Sequence, residues 1–378
     1  MTNRKKVKTA TRRKFLTGAA GVAAGGAAAI AMPNVSRAQT VTLKMQGSWG
    51  SASPFSQFAR DYARRVNEMS GGSLKIDYLP VNAIVAYNRV QDAAHKGILD
   101  AAHTVTVYWY GKSKVASLFG SGPVFGQTAH HTLAWIYYGG GQELYDELME
   151  KLGLNVVGFF AMPMPTQPLG WFQKEIKSSA DMVGLKYRTV GLAADLMQEM
   201  GVKVTQLGGS EIVPALEKGV IEAFEFNNPT ADMQFGAHDV SKVYMMGSYH
   251  QASEYFEFIF NKDMYNGLPK EHQAILKYAV EAASSDNFWK AMDWYSTDLQ
   301  KLINEEGVKV YRTPESIMKD QLVAWDVMIK KLEDEDPFFK KVVKSQKDFS
   351  HRVAFYELLN AADYKLAFEH NFPGELGF

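Results

Sequence analysis

The sequence predicts an α/β protein of two lobes with a long helical C-terminal region. Three observations predict it. After residue 39 the chain opens strand–helix–strand, one helix–glycine–strand unit recurs about 120 residues later, and almost everything after Lys270 has helical spacing.

The opening unit is read from its periodicities. Thr40-Val41-Thr42-Leu43-Lys44-Met45 alternates as a strand does, and a turn-rich segment from Gly47 to Pro54 follows. Phe55, Phe58, Ala59, Tyr62, Ala63 and Val66 recur at helical spacing until Gly71-Gly72 ends the run. Residues 74–79 form a second strand.

The recurrent unit is Ala93-Ala94-His95-Lys96-Gly97-Ile98-Leu99-Asp100-Ala101-Ala102-His103, echoed by Ala215-Leu216-Glu217-Lys218-Gly219-Val220-Ile221-Glu222-Ala223-Phe224-Glu225. Gly97 and Gly219 fall where a helix end needs a left-handed residue. The alternative is coincidence between two common helix–glycine–strand joints. A real echo puts His103 and Glu225 at matching strand ends, where open α/β sheets bind ligands.

Between the units, residues 154–160 read as a buried strand that Pro163-Met164-Pro165 carries across to the other lobe. Residues 185–188 are a short strand before a helix that runs through Met200, and residues 255–260 are the return crossing. The predicted division is an export signal over 1–38, a first lobe over 39–162 with a return segment at about 250–280, a second lobe over 163–249, and a helical region over 281–378. That last region is expected to pack on both lobes. Its amphipathic stretch Leu322, Trp325, Met328, Ile329 and Leu332 predicts a homodimer, with packing on its own lobe as the alternative.

Residues 1–38 carry a basic head, an apolar stretch of about 15 residues and Ser36-Arg37-Ala38, a spacing that a signal peptidase accepts. Thr11-Arg12-Arg13-Lys14-Phe15-Leu16 has the form of a twin-arginine signal, which predicts export to the periplasm. The whole chain has 41 basic and 41 acidic residues. Removing the eight basic and no acidic residues of the signal leaves 33 against 41, a net charge of −8. That balance argues against a nucleic-acid partner. With no cysteine there is no disulfide, thiolate metal site or thiol nucleophile.

Phosphate loops, dinucleotide-binding glycine patterns and paired-histidine zinc motifs are missing from the sequence. Gly139-Gly140-Gly141 reads as a turn and cap, His130-His131 as a solvated helix start, and residues 333–336 as a solvated acidic helix end. Three polar residues stand out in apolar surroundings: Gln167 before Gly170-Trp171-Phe172, Arg188 at the end of its strand, and Glu225 between Phe224 and Phe226, ahead of Asn227-Asn228-Pro229. An arginine so placed suits a carboxylate, and a carboxylate beside amide oxygens suits a hard cation. The alternative is an internal Arg188–Glu225 ion pair that braces one lobe. A rival functional reading is a periplasmic enzyme acting on a small carboxylic acid, with Glu225 and His103 as acid and base.

Several runs carry a family resemblance. They are Gln167-Pro168-Leu169-Gly170-Trp171-Phe172, Gly184-Leu185-Lys186-Tyr187-Arg188, Gly208 to Leu216 followed by Glu225, Tyr108-Trp109-Tyr110-Gly111-Lys112, and Phe260-Asn261-Lys262. In order and spacing the chain resembles the extracytoplasmic solute-binding proteins of TRAP transporters. Within these it is most similar to the branch that binds 2-oxo acids and to sequences labelled mannitol or chloroaromatic. The resemblance implies a periplasmic-binding-protein fold with the ligand cleft between the lobes. It implies binding rather than catalysis, a small organic acid (a 2-oxo or 2-hydroxy monocarboxylate) as ligand, and integral membrane subunits as partners. It also implies site roles. Arg188 would pair with the ligand carboxylate, with Tyr108 contacting the ligand from the other lobe and Asn227 among the contacts. Gln167, Glu225, the Phe226 carbonyl and Gln251 would hold a sodium or calcium ion. The branch usually has Glu-Trp where Glu225-Phe226 stands, and His-Glu-Pro-Gly where His250-Gln251-Ala252-Ser253 stands. Losing that one acidic ligand is expected to weaken a divalent ion more than sodium.

Overall fold

A computed structural model describes residues 40–377, so the export signal expected over 1–38 lies outside the described residues. Strand β1 (Val41–Gly47) leads through helix α1 (Pro54–Met69) to a parallel neighbour, β2 (Leu74–Leu79). The Ser53 hydroxyl caps α1 by accepting from the Phe55 N–H, and Pro54 starts the helix without wasting an amide donor. The predicted apolar face of α1, including Phe55, Phe58, Tyr62 and Val66, is buried. Helix α2 (Val90–His95) then feeds β3 (Ala101–Thr104) through Gly97, at φ 69°. Helices α3 (Ala129–Tyr138) and α4 (Gly141–Lys151), joined at Gly140 with φ 84°, lead to β4 (Val156–Met164).

The chain next crosses to a second sheet. In order come β5 (Gly170–Phe172), β6 (Lys186–Arg188), α5 (Leu192–Glu199), β7 (Lys203–Thr205), α6 (Ile212–Glu217), β8 (Ala223–Phe224), α7 (Pro229–Gln234), α8 (Ala237–Val240) and β9 (Val243–Met246). It returns to the first sheet as β10 (Glu254–Asn261), antiparallel to both β3 and β4. The remainder is α9 (Lys262–Gly267), α10 (Lys270–Asn304), β11 (Lys309–Arg312), α11 (Glu315–Glu335), α12 (Pro337–Asn360) and α13 (Tyr364–Asn371). The first sheet has the order β2-β1-β3-β10-β4 and the second β11-β9-β5-β8-β6-β7.

The internal echo is real in the fold. Gly219, at φ 68°, joins α6 to β8 as Gly97 joins α2 to β3, and both strands pair in parallel with a neighbour of their own sheet. His103 and Glu225 accordingly stand at matching carboxyl ends.

The region expected to be helical throughout contains one strand. β11 pairs in parallel with β9 at the edge of the second sheet, so the chain visits that lobe again after α10. Helix α10 has 35 residues, about 50 Å of length, enough to run along both lobes. Its Leu276, Ala279, Val280 and Ala283 join the core of the first sheet, while Leu302 joins that of the second. Trp325, Met328, Ile329 and Leu332 of α11 are buried in the core of the first lobe, so this amphipathic face packs on its own chain and gives no reason to expect a second subunit. Exposed apolar residues also occur further on, in α12 and α13, where Leu358, Leu359 and Tyr364 are each about three-quarters exposed, as well as at Trp289 of α10 and Val323 of α11. No helix among the described residues is long and apolar enough to cross a membrane.

Candidate functional site

The site grows from the ends of two parallel strands. Arg188 closes β6 and Glu225 follows β8, and these strands pair with Arg188 opposite Phe224. The side chains meet at 2.9 Å, Arg188 being 1% and Glu225 0% exposed. Gly170 makes this possible. A Cβ there would stand 2.3 Å from the Phe224 carbonyl oxygen, and its φ of 134° is open to glycine.

Arg188 is heavily engaged. Its Nη1 donates to the Glu225 carbonyl at 2.8 Å and to Oε1 at 2.9 Å, while Nε and Nη2 donate to the Leu207 carbonyl at 2.9 and 2.7 Å. Four of the five N–H donors of a guanidinium are thereby used, leaving one on Nη2. The ion pair considered from sequence therefore exists. It does not consume the whole group.

Two crossings bring in the amides. The Gln167 N–H donates to the Gln251 carbonyl at 3.1 Å, which ties the β4–β5 connection to the β9–β10 connection. Gln167 Nε2 donates to Glu254 Oε2 at 2.5 Å, and Asn227 Nδ2 donates to the same oxygen at 2.8 Å. Asp232 accepts from Trp171 Nε1 and the Tyr244 hydroxyl, both at 2.9 Å, and from the Asn227 N–H at 3.1 Å, which fixes the loop after Glu225.

These residues surround a small cavity of about 20 Å³. Arg188, Gln167, Asn227, Gln251 and Glu254 supply its polar wall, while Tyr108, Phe55, Phe256, Trp49 and Phe226 supply much of the apolar one. The first lobe contributes Trp49 from the loop after β1, Phe55 from the first turn of α1 and Tyr108 from the segment after β3. Phe226 lies under the guanidinium, 5.7 Å from Arg188 Cζ to the ring centre.

Among the residues of this site, three buried side-chain oxygens have no hydrogen-bond donor: Gln167 Oε1, Gln251 Oε1 and Glu225 Oε2. An unmet buried acceptor costs about 1–3 kcal/mol. Three hard oxygens, one of them on a carboxylate, fit sodium or calcium and suit no soft metal. Burial raises Glu225 to about 7, against the pull of Arg188 and the smaller help of Thr189 and Gln251. Glu254 is raised to about 8, by burial first and then by the charge of Glu225. A cation beside them would hold both as carboxylates.

Every site residue read from the sequence is placed here. Gln167, Arg188, Tyr108, Phe226, Asn227 and Gln251 line one cavity, with Glu225 bonded to Arg188. The sequence reading missed Glu254 and Trp49. Glu254 changes the charge argument, since it puts a second carboxylate on the wall of the cavity that Gln167, Asn227 and Gln251 line. His103 is buried against Trp49, Phe256 and Phe258, and neither ring nitrogen has a hydrogen-bond partner. Burial lowers it to about 3, which makes it a poor base at neutral pH.

Comparison with known proteins matches residues 45–335 to the family described as bacterial extracellular solute-binding protein, family 7. A monocarboxylate 2-oxoacid-binding periplasmic protein of Nostoc sp. is 31% identical over 328 residues, spanning 86% of this chain and 88% of the relative. A TRAP transporter solute-binding protein of Bordetella bronchiseptica, a dimer of mixed occupancy with copurified calcium and picolinate, superposes with a TM-score of 0.82. It is 27% identical, over 90% of this chain and 99% of its own. A TRAP periplasmic solute-binding protein of Pseudoalteromonas atlantica with bound sodium and pyruvate gives a TM-score of 0.79 at 28% identity, over 85% and 97%.

Proposed function

Because the chain belongs to family 7 of the bacterial extracellular solute-binding proteins, those that serve TRAP transporters, we propose that it captures a small 2-oxo or 2-hydroxy monocarboxylate together with a sodium or calcium ion. The observation that carries this reading is the set of three donorless buried oxygens beside a buried arginine. Gln167, Glu225 and Gln251 hold the cation through side-chain oxygens, and Phe226 through its carbonyl. The cation supplies a second positive contact for the ligand carboxylate. The free Nη2–H of Arg188 supplies the charge-assisted hydrogen bond, and Tyr108 and Asn227 line the rest. Both lobes contribute walls, so a bound acid stabilises the closed arrangement over the open one. Water excluded by Trp49, Phe55 and Phe256 strengthens the charged contacts.

Members of this family bind solutes for transport. For this chain we propose binding without turnover, and the low basicity of His103 speaks against the acid–base pair. Calorimetric titration with pyruvate tests both points. One acid per chain is expected to bind in calcium or in sodium, with binding lost when chelator is present and sodium is replaced by a bulky organic cation, and with the acid recovered unchanged. Consumption of pyruvate, or binding that persists with both cations removed, contradicts the reading.

TRAP solute-binding proteins are periplasmic, and we propose the twin-arginine route for this one on the strength of Arg12-Arg13 with Phe15-Leu16. Changing both arginines to lysine is expected to leave precursor in the cytoplasm. Normal export of that variant removes the proposal. We also propose a homodimer, supported by the exposed Phe355, Leu358, Leu359 and Leu366 of the C-terminal helices. Light scattering at micromolar protein is expected to give twice the chain mass, and a monomer mass excludes it.

A further inference from the structure

We infer that Gln321 and Trp325 of α11 are positioning residues for the cation site, clamping the β9–β10 connection so that Gln251 presents its amide oxygen there. The inference rests on the proposed cation site and deepens it. Gln251 sits on neither a helix nor a strand, but in the loop that follows Gly247 at φ 79°. Its side chain is loosely tied, since Nε2 reaches the Thr189 hydroxyl only at 3.5 Å, too far to aim the amide. The direction of its donorless Oε1 is therefore set by the backbone that carries it.

Helix α11 fixes that backbone. Gln321 and Trp325 stand four residues apart on one face of the helix and take both polar groups of Tyr249. Gln321, fully buried, accepts from the Tyr249 N–H through Oε1 at 2.8 Å and donates to the Ser248 hydroxyl through Nε2 at 2.8 Å. Trp325 Nε1 donates to the Tyr249 carbonyl at 2.8 Å. Ser248 Oγ also meets His250 Nδ1 at 2.6 Å, which extends the grip to the residue before Gln251. The helix itself is well seated. Ile317 lies in the core of the second lobe and Asp320 accepts from the Ser179 hydroxyl at 2.6 Å, while Trp325, Met328 and Ile329 lie in the core of the first. A helix held by both lobes is a fixed reference for a loop that joins them.

The experiment is a double-mutant cycle on the mature protein. It is read by calorimetric titration of calcium, and of sodium in parallel, into protein freed of both ions. Gln321→Met keeps the side-chain length and removes the hydrogen bonds, and Trp325→Phe keeps an aromatic ring in the core and removes the Nε1 donor. Each is expected to weaken cation binding about tenfold, the usual cost of losing a partner that orients a metal ligand. In a Gln251→Ala background neither change is expected to weaken it further, because the clamp acts through the ligand it aims. A purely structural brace would give the same fold-change in both backgrounds. If Gln321→Met does not fold, Trp325→Phe carries the cycle alone. Equal fold-changes with and without Gln251, or cation affinity unaltered by the α11 variants, overturn this inference and spare the cation site. Wild-type cation affinity in Gln251→Ala, or a wild-type protein that takes up neither ion, overturns the role proposed for Gln251 and the inference with it.

Discussion

Arg188→Ala is expected to weaken binding of a 2-oxo acid at least a hundredfold, about 3 kcal/mol, and to lower the melting temperature as well. Both effects come from the same geometry. Truncation removes the remaining Nη2–H, the donor proposed for the ligand carboxylate. It also orphans the Leu207 carbonyl and leaves the Glu225 carboxylate buried without its partner at 2.9 Å. Breaking a buried pair from one side costs about 3–5 kcal/mol of stability. A fall in melting temperature alone therefore says nothing about ligand binding. Arg188→Lys separates the roles. An ammonium can restore a positive charge beside Glu225, so part of the stability should return. It cannot donate to Leu207, to Glu225 and to a ligand in the guanidinium's planar arrangement, so affinity should stay low. A lysine variant that melts near the wild type and binds pyruvate normally would reduce Arg188 to a brace for Glu225. Unchanged affinity in Arg188→Ala would do the same.

Arg188 was legible in the sequence because it closes its strand just ahead of the uncharged run Thr189 to Ala194 and falls in a segment that carries the family resemblance. Glu254 was not, and the reason lies in the sheet. Glu254 stands just before the strand predicted over residues 255–260, at an element edge where an acid ordinarily meets water. β10 is in fact paired on both edges and covered on both faces, so all eight residues are buried. Its glutamates must then find donors: Gln167 and Asn227 for Glu254, Trp109 and Tyr145 for Glu257. Two acids in a strand as aromatic as Tyr255-Phe256 and Phe258-Ile259-Phe260 were the available signal, since an outer strand face seldom needs so much aromatic company. β11 escaped for the opposite reason. Four partly exposed residues between two long helices carry little pattern, and pairing with β9 decides their state. One crossing was readable from Pro165, although β4 runs on through Pro163, which pairs with Tyr255 of β10, and the echo around Gly97 and Gly219 pointed to a second sheet.

Glu225→Gln is expected to cut calcium affinity by at least tenfold and to flatten its pH dependence. In the cation-free protein Glu225 sits at about 7 and Glu254 at about 8, both above the ordinary 4.5 because burial disfavours the charge. Between pH 4.5 and about 8 the folded, cation-free protein therefore holds more protons than the unfolded chain. Its stability falls as pH rises through that window, since unfolding lets these carboxyls ionise in water. Calcium reverses the trend by stabilising the carboxylates, so binding must expel protons below pH 8 and tighten as pH rises from 6 to 8.5. The glutamine variant keeps an oxygen at the site and removes one titrating group. Glu254 is then the carboxyl left to titrate, and it too shifts downward without its charged neighbour. Calcium titrations at pH 6 and pH 8.5, in two buffers of different ionisation enthalpy, count the protons released. Wild-type protein is expected to release protons at pH 6 and few at pH 8.5, with the variant releasing fewer at pH 6. Calcium affinity that is equal at the two pH values in the wild type, or unaltered by Glu225→Gln, would remove Glu225 from the cation site and leave it as the partner of Arg188 alone.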